Sequence, residues 1–344
     1  MFQDLAITEL IESEKFNKIT WIDVRSPSEF KEATIPGAKN IPVFTDEERA
    51  EIGTIYKQVS VEAAKERGLE IFSAKLPAFI KAVKELEGEK VIFCWRGGMR
   101  SKTAATVVDL MGISINRLAG GIRAYREYVT GQLKNMAYKP NALVLNGYTG
   151  SGKTKILRSL QSDGYPVLDL EKMANHRGSA FGQIGMVANN QRMFEALLFN
   201  GLYETKESPY VLFEAESKRI GKAVLPPFLL EKKGSGTHIF LSIPMEERVK
   251  TILEDYHPAE HKNECEAAFQ KIKRRIHTPI AADIEKHLAE GEFSQAVHLL
   301  LEYYYDPLYK HSAELYAAEK TIHIKADNVS EATEQIRALL QSQR

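Results

Sequence analysis

Cys94 is one of only two cysteines in this 344-residue sequence, and it lies in the stretch VIFCWRGGMRSK. An apolar run precedes it, and a glycine-rich turn follows it before a helix that we expect to begin near Ser101. A loop curled around the thiol would point backbone N–H groups at the sulfur, and the dipole of the following helix would further stabilise a thiolate. The loop residues that could hold an oxyanion beside the sulfur are Arg96, Gly97, Gly98 and Arg100. We therefore interpret Cys94 as a chemically active thiol.

The spacing between Cys94 and Arg100 follows the pattern C-x5-R. A loop of this length leaves room for a tetrahedral phosphate-type group over the thiol, and cysteine phosphatases share the spacing. A persulfide carrier and a phosphate-handling thiol are therefore both open from the local sequence. Cys265 lies in HKNECEAAFQKIKRR without such surroundings, and we interpret it as structural or incidental.

A second glycine-rich stretch, GYTGSGKT, satisfies the pattern G-x-x-x-x-G-K-[ST] of a phosphate-binding P-loop. It follows a predicted strand, ALVLNG, and precedes a predicted helix, KTKILRSLQS, which is the context that this motif requires. Backbone N–H groups and the helix N-terminus would bind phosphate oxygens, with a lysine as a mobile charge. The candidate diphosphate-binding residues are Gly147, Gly150, Ser151, Gly152, Lys153 and Thr154.

A P-loop fixes a di- or triphosphate but does not fix the reaction, because the partner residues differ between enzyme classes. The Thr154 hydroxyl could ligate Mg²⁺, and acids at the ends of neighbouring strands could complete the site. YVLFEAES offers Glu214 and Glu216, and YPVLDLE offers Asp169 and Glu171. The sequence therefore nominates Thr154, Glu214 and Asp169 for magnesium without assigning a metal site.

The stretch HRGSAFGQIG (176–185) contains three glycines and has no hydrophobic period. This composition is typical of a mobile loop, and we expect it to lie over the phosphate site with Arg177 reaching an anion. A plain surface loop is the alternative interpretation.

The order of predicted elements indicates an α/β protein of two domains. Apolar runs rich in β-branched residues alternate with helical patterns in both halves, which favours parallel sheets covered by helices. A polar stretch followed by Lys139-Pro140 separates the halves, so we predict domains at residues 1–138 and 139–344.

Composition excludes several classes of protein. Lys plus Arg and Asp plus Glu both number 46, so the net charge is zero, which argues against coating nucleic acid by bulk electrostatics. Two cysteines give no disulfide framework, and no apolar run approaches the roughly 18 residues of a membrane span. With no signal-peptide pattern at the N-terminus, we expect a cytoplasmic protein that does not engage membranes.

Two further stretches carry a family resemblance. DVRSPSEFKEATIPGAKNIP (23–42) and LAGGIRAYRE (118–127) resemble the signatures of rhodanese domains, which transfer sulfane sulfur through a cysteine. Thr34 stands where many rhodaneses have histidine, Tyr125 stands where many have tryptophan, and the Cys94 loop is one residue longer than usual. The resemblance implies a rhodanese-like fold in the first domain, with chemistry other than simple thiosulfate transfer.

The rhodanese-like and P-loop halves occur together with ERAEIGTIYKQVS, CWRGGMRS, LEKMANHRGSAFG and FEAESKRIG. In this combination the chain resembles the bacterial tRNA 2-selenouridine synthase family over essentially its whole length. The resemblance implies that the sulfur of a 2-thiolated wobble uridine (position 34) in tRNA is geranylated from geranyl diphosphate. Selenium from selenophosphate then displaces the geranyl thiol.

By this resemblance Cys94 would carry the selenium, Arg96 and Arg100 would hold phosphoryl oxygens, and the P-loop would bind the diphosphate. The resemblance implies no tightly bound cofactor, leaves magnesium open, names the tRNA anticodon arm as a partner, and leaves room for an enzyme that supplies selenophosphate. Tyr148 and the run YYYDPLY (303–309) could stack a base or line a geranyl pocket, with core packing favoured for the run.

Other functions remain open from the sequence. One is an ATP- or GTP-dependent kinase-like enzyme with a regulatory rhodanese domain. Another is a sulfurtransferase or phosphatase of rhodanese fold. A third is a binding module without catalysis, whose two loops no longer act.

Overall fold

The computed structural model describes residues 1–13, 16–310 and 318–341. The chain divides into two compact units, Met1–Asn135 and Met136–Arg344. The division falls a few residues before the boundary predicted from Lys139-Pro140, because the last helix of the first unit ends at Asn135.

The first unit is built on a five-stranded parallel sheet with the strand order β1-β5-β4-β2-β3. Its strands are β1 (Asp4–Leu5), β2 (Ile19–Asp23), β3 (Lys39–Asn40), β4 (Glu89–Phe93) and β5 (Asn116–Leu118). Its helices are α1 (Ile7–Glu12), α2 (Pro27–Glu32), α3 (Asp46–Gln58), α4 (Val61–Lys84), α5 (Met99–Leu110) and α6 (Gly121–Asn135), with a 3₁₀ turn at Phe16–Lys18. The predicted parallel α/β arrangement is confirmed for this half.

Strand β4 lies at the centre of this sheet, between β2 and β5. Val91, Ile92 and Phe93 are fully buried, as expected for a strand that helices cover on both faces. A central strand of a parallel sheet ends at the edge where the neighbouring loops also emerge. The residue after β4 is Cys94, so the sheet itself places the thiol at that edge.

The second unit is built on another five-stranded parallel sheet, with the order β12-β11-β6-β8-β7. The strands are β6 (Asn141–Gly147), β7 (Val167–Leu168), β8 (Tyr210–Glu214), β9 (Arg219–Ile220), β10 (Ala223–Val224), β11 (Thr237–Ser242) and β12 (Thr321–Lys325). Of these, β9 and β10 form a separate antiparallel pair. The predicted parallel sheet of the second half is also confirmed.

The helices of the second unit lie around this sheet and in one long insertion. They are α7 (Lys153–Ser162), α8 (Leu170–Ala174), α9 (Gln191–Thr205), α10 (Pro227–Ser235), α11 (Met245–Tyr256), α12 (Lys262–Ile272), α13 (Thr278–Glu290), α14 (Phe293–Leu300), α15 (Asp306–Lys310) and α16 (Val329–Gln341). A π-helical turn covers Leu301–Tyr305, and 3₁₀ turns cover Lys273–Arg275 and Ala318–Lys320. None of the described helices is both long and apolar enough to cross a bilayer.

Helices α11 to α15 form a helical subdomain, residues 245–310, inserted between β11 and β12. It has its own apolar core, which includes Phe269 and Ile284 and is distinct from the core under the sheet. Tyr304 and Tyr305 are buried in it, so the predicted core packing of the aromatic run is confirmed for these two. Tyr303 is exposed, and the side chain of Tyr309 lies outside the described residues.

Candidate functional site

The thiol of Cys94 lies between the end of β4 and the start of α5. The residue is only 3% exposed, and its Sγ is 3.2 Å from the Ser101 hydroxyl oxygen. Gly98 is the N-terminal cap of α5, so the chain turns from sheet to helix around the sulfur. The structure therefore brings the thiol to a helix N-terminus, where backbone N–H groups are unpaired and anions are favoured.

Glycines hold the Cys94 loop in its shape. Gly97 has a φ of +65°, in the region that favours glycine. A Cβ at Gly121 would lie 2.3 Å from the Cys94 carbonyl oxygen, so only glycine fits there. The N–H groups of Ile122 and Arg123 donate to the carbonyls of Cys94 (2.9 Å) and Trp95 (3.1 Å). The LAGGIRAYRE segment thus holds the Cys94 loop in place through these two backbone hydrogen bonds.

The two arginines predicted to bind an oxyanion are held differently. Arg100 is mostly buried and pairs with Glu29, with 3.2 Å between Nη2 and Oε1. Burial of Glu29 would raise the pKa of its carboxyl, but the hydrogen bond and charge of Arg100 outweigh burial, so the pKa lies below its usual value. Arg96 is exposed, and no hydrogen bond or ion pair joins it to any other residue that the structure describes. Arg100 is therefore fixed, whereas Arg96 is free to reach an incoming anion.

A buried ion pair lies at the end of β2, the strand that pairs with β4. Arg25 donates to Asp23, with 2.6 Å between Nη2 and Oδ2, and both side chains are almost fully buried. The Thr34 hydroxyl donates to the same carboxylate at 2.8 Å. The threonine found where many rhodaneses have histidine therefore serves the internal network of the first unit.

In the second unit, the P-loop connects β6 to α7 and depends on glycine at two positions. Gly150 and Gly152 have φ values of +82° and +76°. A Cβ at Gly150 would lie 2.7 Å from the carbonyl oxygen of Arg248, and one at Gly152 would lie 2.5 Å from Val329 Cγ2. The predicted strand–loop–helix context of the motif is confirmed, and α11 and α16 press directly on the loop.

Lys153 turns back into the P-loop that precedes it. Its Nζ donates to the carbonyl oxygens of Gly147 (2.9 Å) and Tyr148 (3.3 Å). Burial lowers the pKa of this amine, and the negative charges of Glu171 and Glu216 oppose that shift. The ammonium group thus lies in the phosphate cradle, close to a group of acids.

Carboxylates from the first turn of α8 and the end of β8 meet beside Thr154. The Thr154 hydroxyl donates to Glu171 Oε2 at 2.8 Å, and the backbone N–H of Glu171 donates to Glu214 Oε1 at 2.7 Å. Burial, followed by the charge of Glu216, raises the pKa of Glu171 to about 7. Burial also raises the pKa of Glu214 well above its usual value, with Asp169 and the other acids adding to the effect.

Two oxygens in this group are buried without a hydrogen-bond partner among the described residues, namely Ser151 Oγ and Glu214 Oε2. Buried polar atoms are normally paired, so these oxygens fit a site that receives a ligand. Carboxylate and hydroxyl oxygens near a phosphate loop are the ligands that Mg²⁺ prefers. Thr154, Glu171 and Glu214 are therefore the residues that could hold a magnesium ion beside the P-loop.

The carboxylate of Asp169, which the sequence suggested as a magnesium ligand, accepts hydrogen bonds from other residues of the protein. Its Oδ1 accepts the backbone N–H of Lys172 at 2.8 Å and caps α8, and its Oδ2 accepts from Arg158 at 3.1 Å. Glu171, which the sequence offered beside it, is the acid that contacts Thr154. Aspartate is a preferred helix N-cap residue, which explains why Asp169 caps α8 while Glu171 contacts Thr154.

Arg177 holds its own loop rather than projecting freely over the phosphate site. Its guanidinium donates to the carbonyl oxygens of Ile184 (2.8 Å) and Asp255 (2.7 Å) and lies 4.5 Å from the centre of the Tyr256 ring. These contacts attach residues 176–185 to α11. Its contact with an anion stays a prediction.

Arg248 is a residue of the P-loop environment that sequence reasoning missed. It is 4% exposed, its Nε donates to the Thr149 carbonyl at 2.9 Å, and its guanidinium lies 5.0 Å from the centre of the Tyr148 ring. It also forms a bidentate pair with Asp306. No local pattern marks Arg248, because both partner segments lie far away in the sequence.

Comparison with known proteins agrees with this geometry. A family model described as the tRNA 2-selenouridine synthase AAA domain matches residues 140–340, and a rhodanese-like domain model matches residues 6–128. Curated relatives from several bacteria carry the name tRNA 2-selenouridine synthase. The relative from Bdellovibrio bacteriovorus is 34% identical over 86% of this chain and 89% of its own. The relative from Nitrosomonas europaea is 35% identical over 68% of this chain and 63% of its own. The relative from Shewanella piezotolerans is 30% identical over 90% of this chain and 92% of its own. The family-model match over residues 140–340 and relatives at least 30% identical over most of the chain show that the chain belongs to the tRNA 2-selenouridine synthase family.

Proposed function

We propose that this chain replaces the sulfur of 2-thiouridine at the wobble position of tRNA with selenium, in two steps that use its two anion-binding loops. The observation that carries the proposal is the presence of both loops in one chain, each formed where a central strand meets a helix. One loop contains a thiol, and the other contains a diphosphate-type cradle without a thiol. The name shared by the relatives supports tRNA as the substrate.

In the first step, the thiouridine sulfur attacks the carbon of geranyl diphosphate that bears the diphosphate. The carbon–oxygen bond breaks, diphosphate leaves, and the uridine loses its N3 proton. Lys153 and the N–H groups at the start of α7 would bind the leaving diphosphate, where its charge increases. Thr154, Glu171 and Glu214 would hold a magnesium ion that neutralises part of this charge.

In the second step, selenium attaches to C2 of the base and geranyl thiol leaves. Alkylation prepares this exchange, since a thiol leaves a uridine ring more readily than sulfide. Cys94 would receive selenium from selenophosphate, whose phosphoryl oxygens Arg96 and Arg100 would bind. The buried position of Sγ at the N-terminus of α5 suits a bound anion.

Covalent carriage of selenium by Cys94 has a distinct chemical balance. If Sγ attacks selenium, the sulfur–selenium bond forms, and the phosphorus–selenium electron pair stays on phosphorus. Phosphite is then the co-product, and after the selenium has bonded to C2 an added thiol must reduce the sulfur–selenium bond to release the selenouridine and regenerate Cys94. If Cys94 only positions selenophosphate, water attacks phosphorus, selenide leaves, and the co-product is phosphate. ³¹P NMR of the products separates the two roles.

Mass spectrometry of 2-thiolated tRNA tests the whole proposal. The protein is incubated with geranyl diphosphate, with selenophosphate, and with both. We expect a geranyl adduct in the first arm, no change in the second, and the selenium-for-sulfur mass shift in the third. An unchanged tRNA mass in all three arms would overturn the proposal. Steady ATP or GTP hydrolysis in the same preparation, lost in Lys153→Ala but kept in Cys94→Ser, would instead favour the kinase-like alternative.

A further inference from the structure

An apolar cavity lies inside the helical subdomain of the second unit. Its walls come from α11, α12, α13, α14, the π-helical turn and the 176–185 loop, and they include Ile252, Leu288, Val297 and Leu300. The enclosed cavity volume is about 50 Å³, several times what one water needs. The space between its walls, with the open mouth included, is about 540 Å³. Polar atoms are almost absent from its surface.

The cavity reaches the P-loop directly. Thr149, within GYTGSGKT, lines it, and so does Ile252, which a Cβ at the neighbouring Gly150 would meet at 3.0 Å. Ser179 and Tyr256 also line it, with 3.2 Å between their hydroxyl oxygens, and the Arg177 guanidinium lies 4.5 Å from the centre of the Tyr256 ring. The lining is therefore apolar within the helical subdomain and adjoins the polar P-loop at Thr149.

We propose that this cavity binds the hydrocarbon chain of a prenyl diphosphate whose diphosphate lies in the P-loop. The inference rests on the proposed function and adds the location of the chain and the residues that select its length. A ligand with a charged head and a branched C10 tail needs such a division, because burying the tail is favourable and burying the head without cationic and N–H partners is not. A nucleoside would need hydrogen-bond partners that the apolar walls do not offer.

Cys265 contributes to the apolar wall of this cavity. Its side chain lines the cavity from α12 and is 5% exposed. Burial raises the pKa of this thiol to about 11, so it is uncharged at neutral pH and acts as a small apolar group. The second cysteine is therefore part of the hydrocarbon site under this proposal, without a chemical role.

The test compares binding of geranyl diphosphate and inorganic diphosphate by titration calorimetry. We expect the wild-type protein to bind geranyl diphosphate at least about 100-fold more tightly, because the tail adds buried carbon. Val297→Phe fills the cavity and should lower the affinity for geranyl diphosphate at least about tenfold, while the affinity for inorganic diphosphate stays the same. In transfer assays the same variant should shift preference toward the C5 dimethylallyl diphosphate.

Gln295→Phe is the matched control, since Gln295 is exposed on the same helix, α14, and does not line the cavity. It should bind both ligands as the wild type does. If Val297→Phe fails to fold, as judged by lost binding of inorganic diphosphate, Cys265→Met fills the cavity from α12 instead. Unchanged geranyl diphosphate affinity in a folded filled variant overturns the inference, as does equal wild-type affinity for the two ligands. A wild-type protein that forms no geranyl adduct at all contradicts the proposed function instead.

Discussion

The Cys94 loop and the P-loop share a construction but differ in the charges around them. Each follows a central strand of a parallel sheet and ends at the start of a helix, after β4 in one unit and after β6 in the other. Arginines surround the first loop: Arg96, Arg100 and Arg117, the last of which donates to the Gly97 carbonyl. Acids predominate around the second, where Glu171, Glu214 and Glu216 lie near Lys153, and Arg248 is the nearby arginine.

This difference indicates how each loop can accept an anion. Fixed cations beside Cys94 can receive a compact trianion directly. Beside Lys153, buried carboxylates would repel a diphosphate unless a metal ion or protons compensate. Burial, and after it the charge of neighbouring acids, raises the pKa values of Glu171 and Glu214. The first loop suits a metal-free phosphoryl group, and the second suits a metal-bound diphosphate.

The largest expected effect separates the two loops by their chemistry. Cys94→Ser should lower selenium incorporation by about a thousand-fold or more, because the thiol is the only proposed carrier. The rate of geranyl adduct formation should stay at the wild-type level. Quantitative mass spectrometry of tRNA nucleosides measures both rates in one sample. Full selenouridine formation by this variant would remove Cys94 from the reaction.

The reciprocal change is Lys153→Ala in the P-loop. Loss of one donor to a developing charge should slow geranylation by about 100- to 1,000-fold. Selenium transfer to tRNA that is already geranylated should be unaffected. Lys155→Ala is the control, since Lys155 is the next lysine on α7 and pairs with Glu254 outside the cradle. Equal losses in both lysine variants would contradict the assignment.

Removal of divalent metal tests the charge difference itself. A chelator should slow geranylation roughly 100-fold, because the acids near Thr154 would then face the diphosphate uncompensated. The selenium step, assayed with geranylated tRNA and selenophosphate, should not change. Restoration by Mg²⁺ confirms that the chelator acted through the metal. Equal sensitivity of the two steps would show that the loops do not differ in this way.

Glycine substitutions test how tightly the Cys94 loop is clamped. Gly121→Ala combines a positive φ with a Cβ 2.3 Å from the Cys94 carbonyl oxygen, and should cost about 3 kcal/mol of unfolding free energy. Gly112→Ala has a φ of +73° without any close neighbour, and should cost about 1 kcal/mol. Denaturant unfolding followed by Trp fluorescence measures both. Similar losses for the two variants would mean that the clamp has no effect beyond backbone strain.

The smallest effect concerns the pair of Glu29 and Arg100. Because the pKa of Glu29 is lower in the folded protein, its contribution is fully present above the unfolded-state pKa and is lost as pH falls through the folded-state pKa. Glu29→Gln should therefore cost about 1 kcal/mol or less at pH 7 and almost nothing in strong acid. Denaturant titrations at both pH values give the difference. A constant gap between wild type and variant would mean that the ion pair does not stabilise the loop.

The centres of both sheets could be predicted because their strands are apolar runs long enough to recognise, as in VIF before Cys94 and ALVLN before the P-loop. Four of the two-residue strands, β1, β3, β9 and β10, could not be predicted, since their pairing depends on neighbours and not on pattern, whereas two-residue β7 lies in the predicted strand YPVLDL. The two loops could be predicted because each is a contiguous sequence motif. Contacts between distant segments, such as Arg100 with Glu29 or Arg248 with Asp306, could not be predicted.

The capping role of Asp169 could not be predicted for a physical reason as well. A strand-terminal acid before a helix can either cap that helix or face a ligand, and the sequence pattern is the same for both. The contact between Glu171 on α8 and Thr154 on α7 is visible only in the folded chain. The helical subdomain was likewise hidden, because its separate core is formed by five short helices whose packing no local period specifies.

The direct connection between the units at Asn135 and Met136 affects the fate of an intermediate. Two reactions in sequence on one tRNA would otherwise require a second diffusional encounter between dilute partners. For a tRNA that stays bound to one unit, the covalent link makes its encounter with the other loop intramolecular, with an effective concentration of about a millimolar for a short link. Under the proposed reaction, a half-modified tRNA that stays bound would reach the second loop of the same molecule without returning to bulk solution.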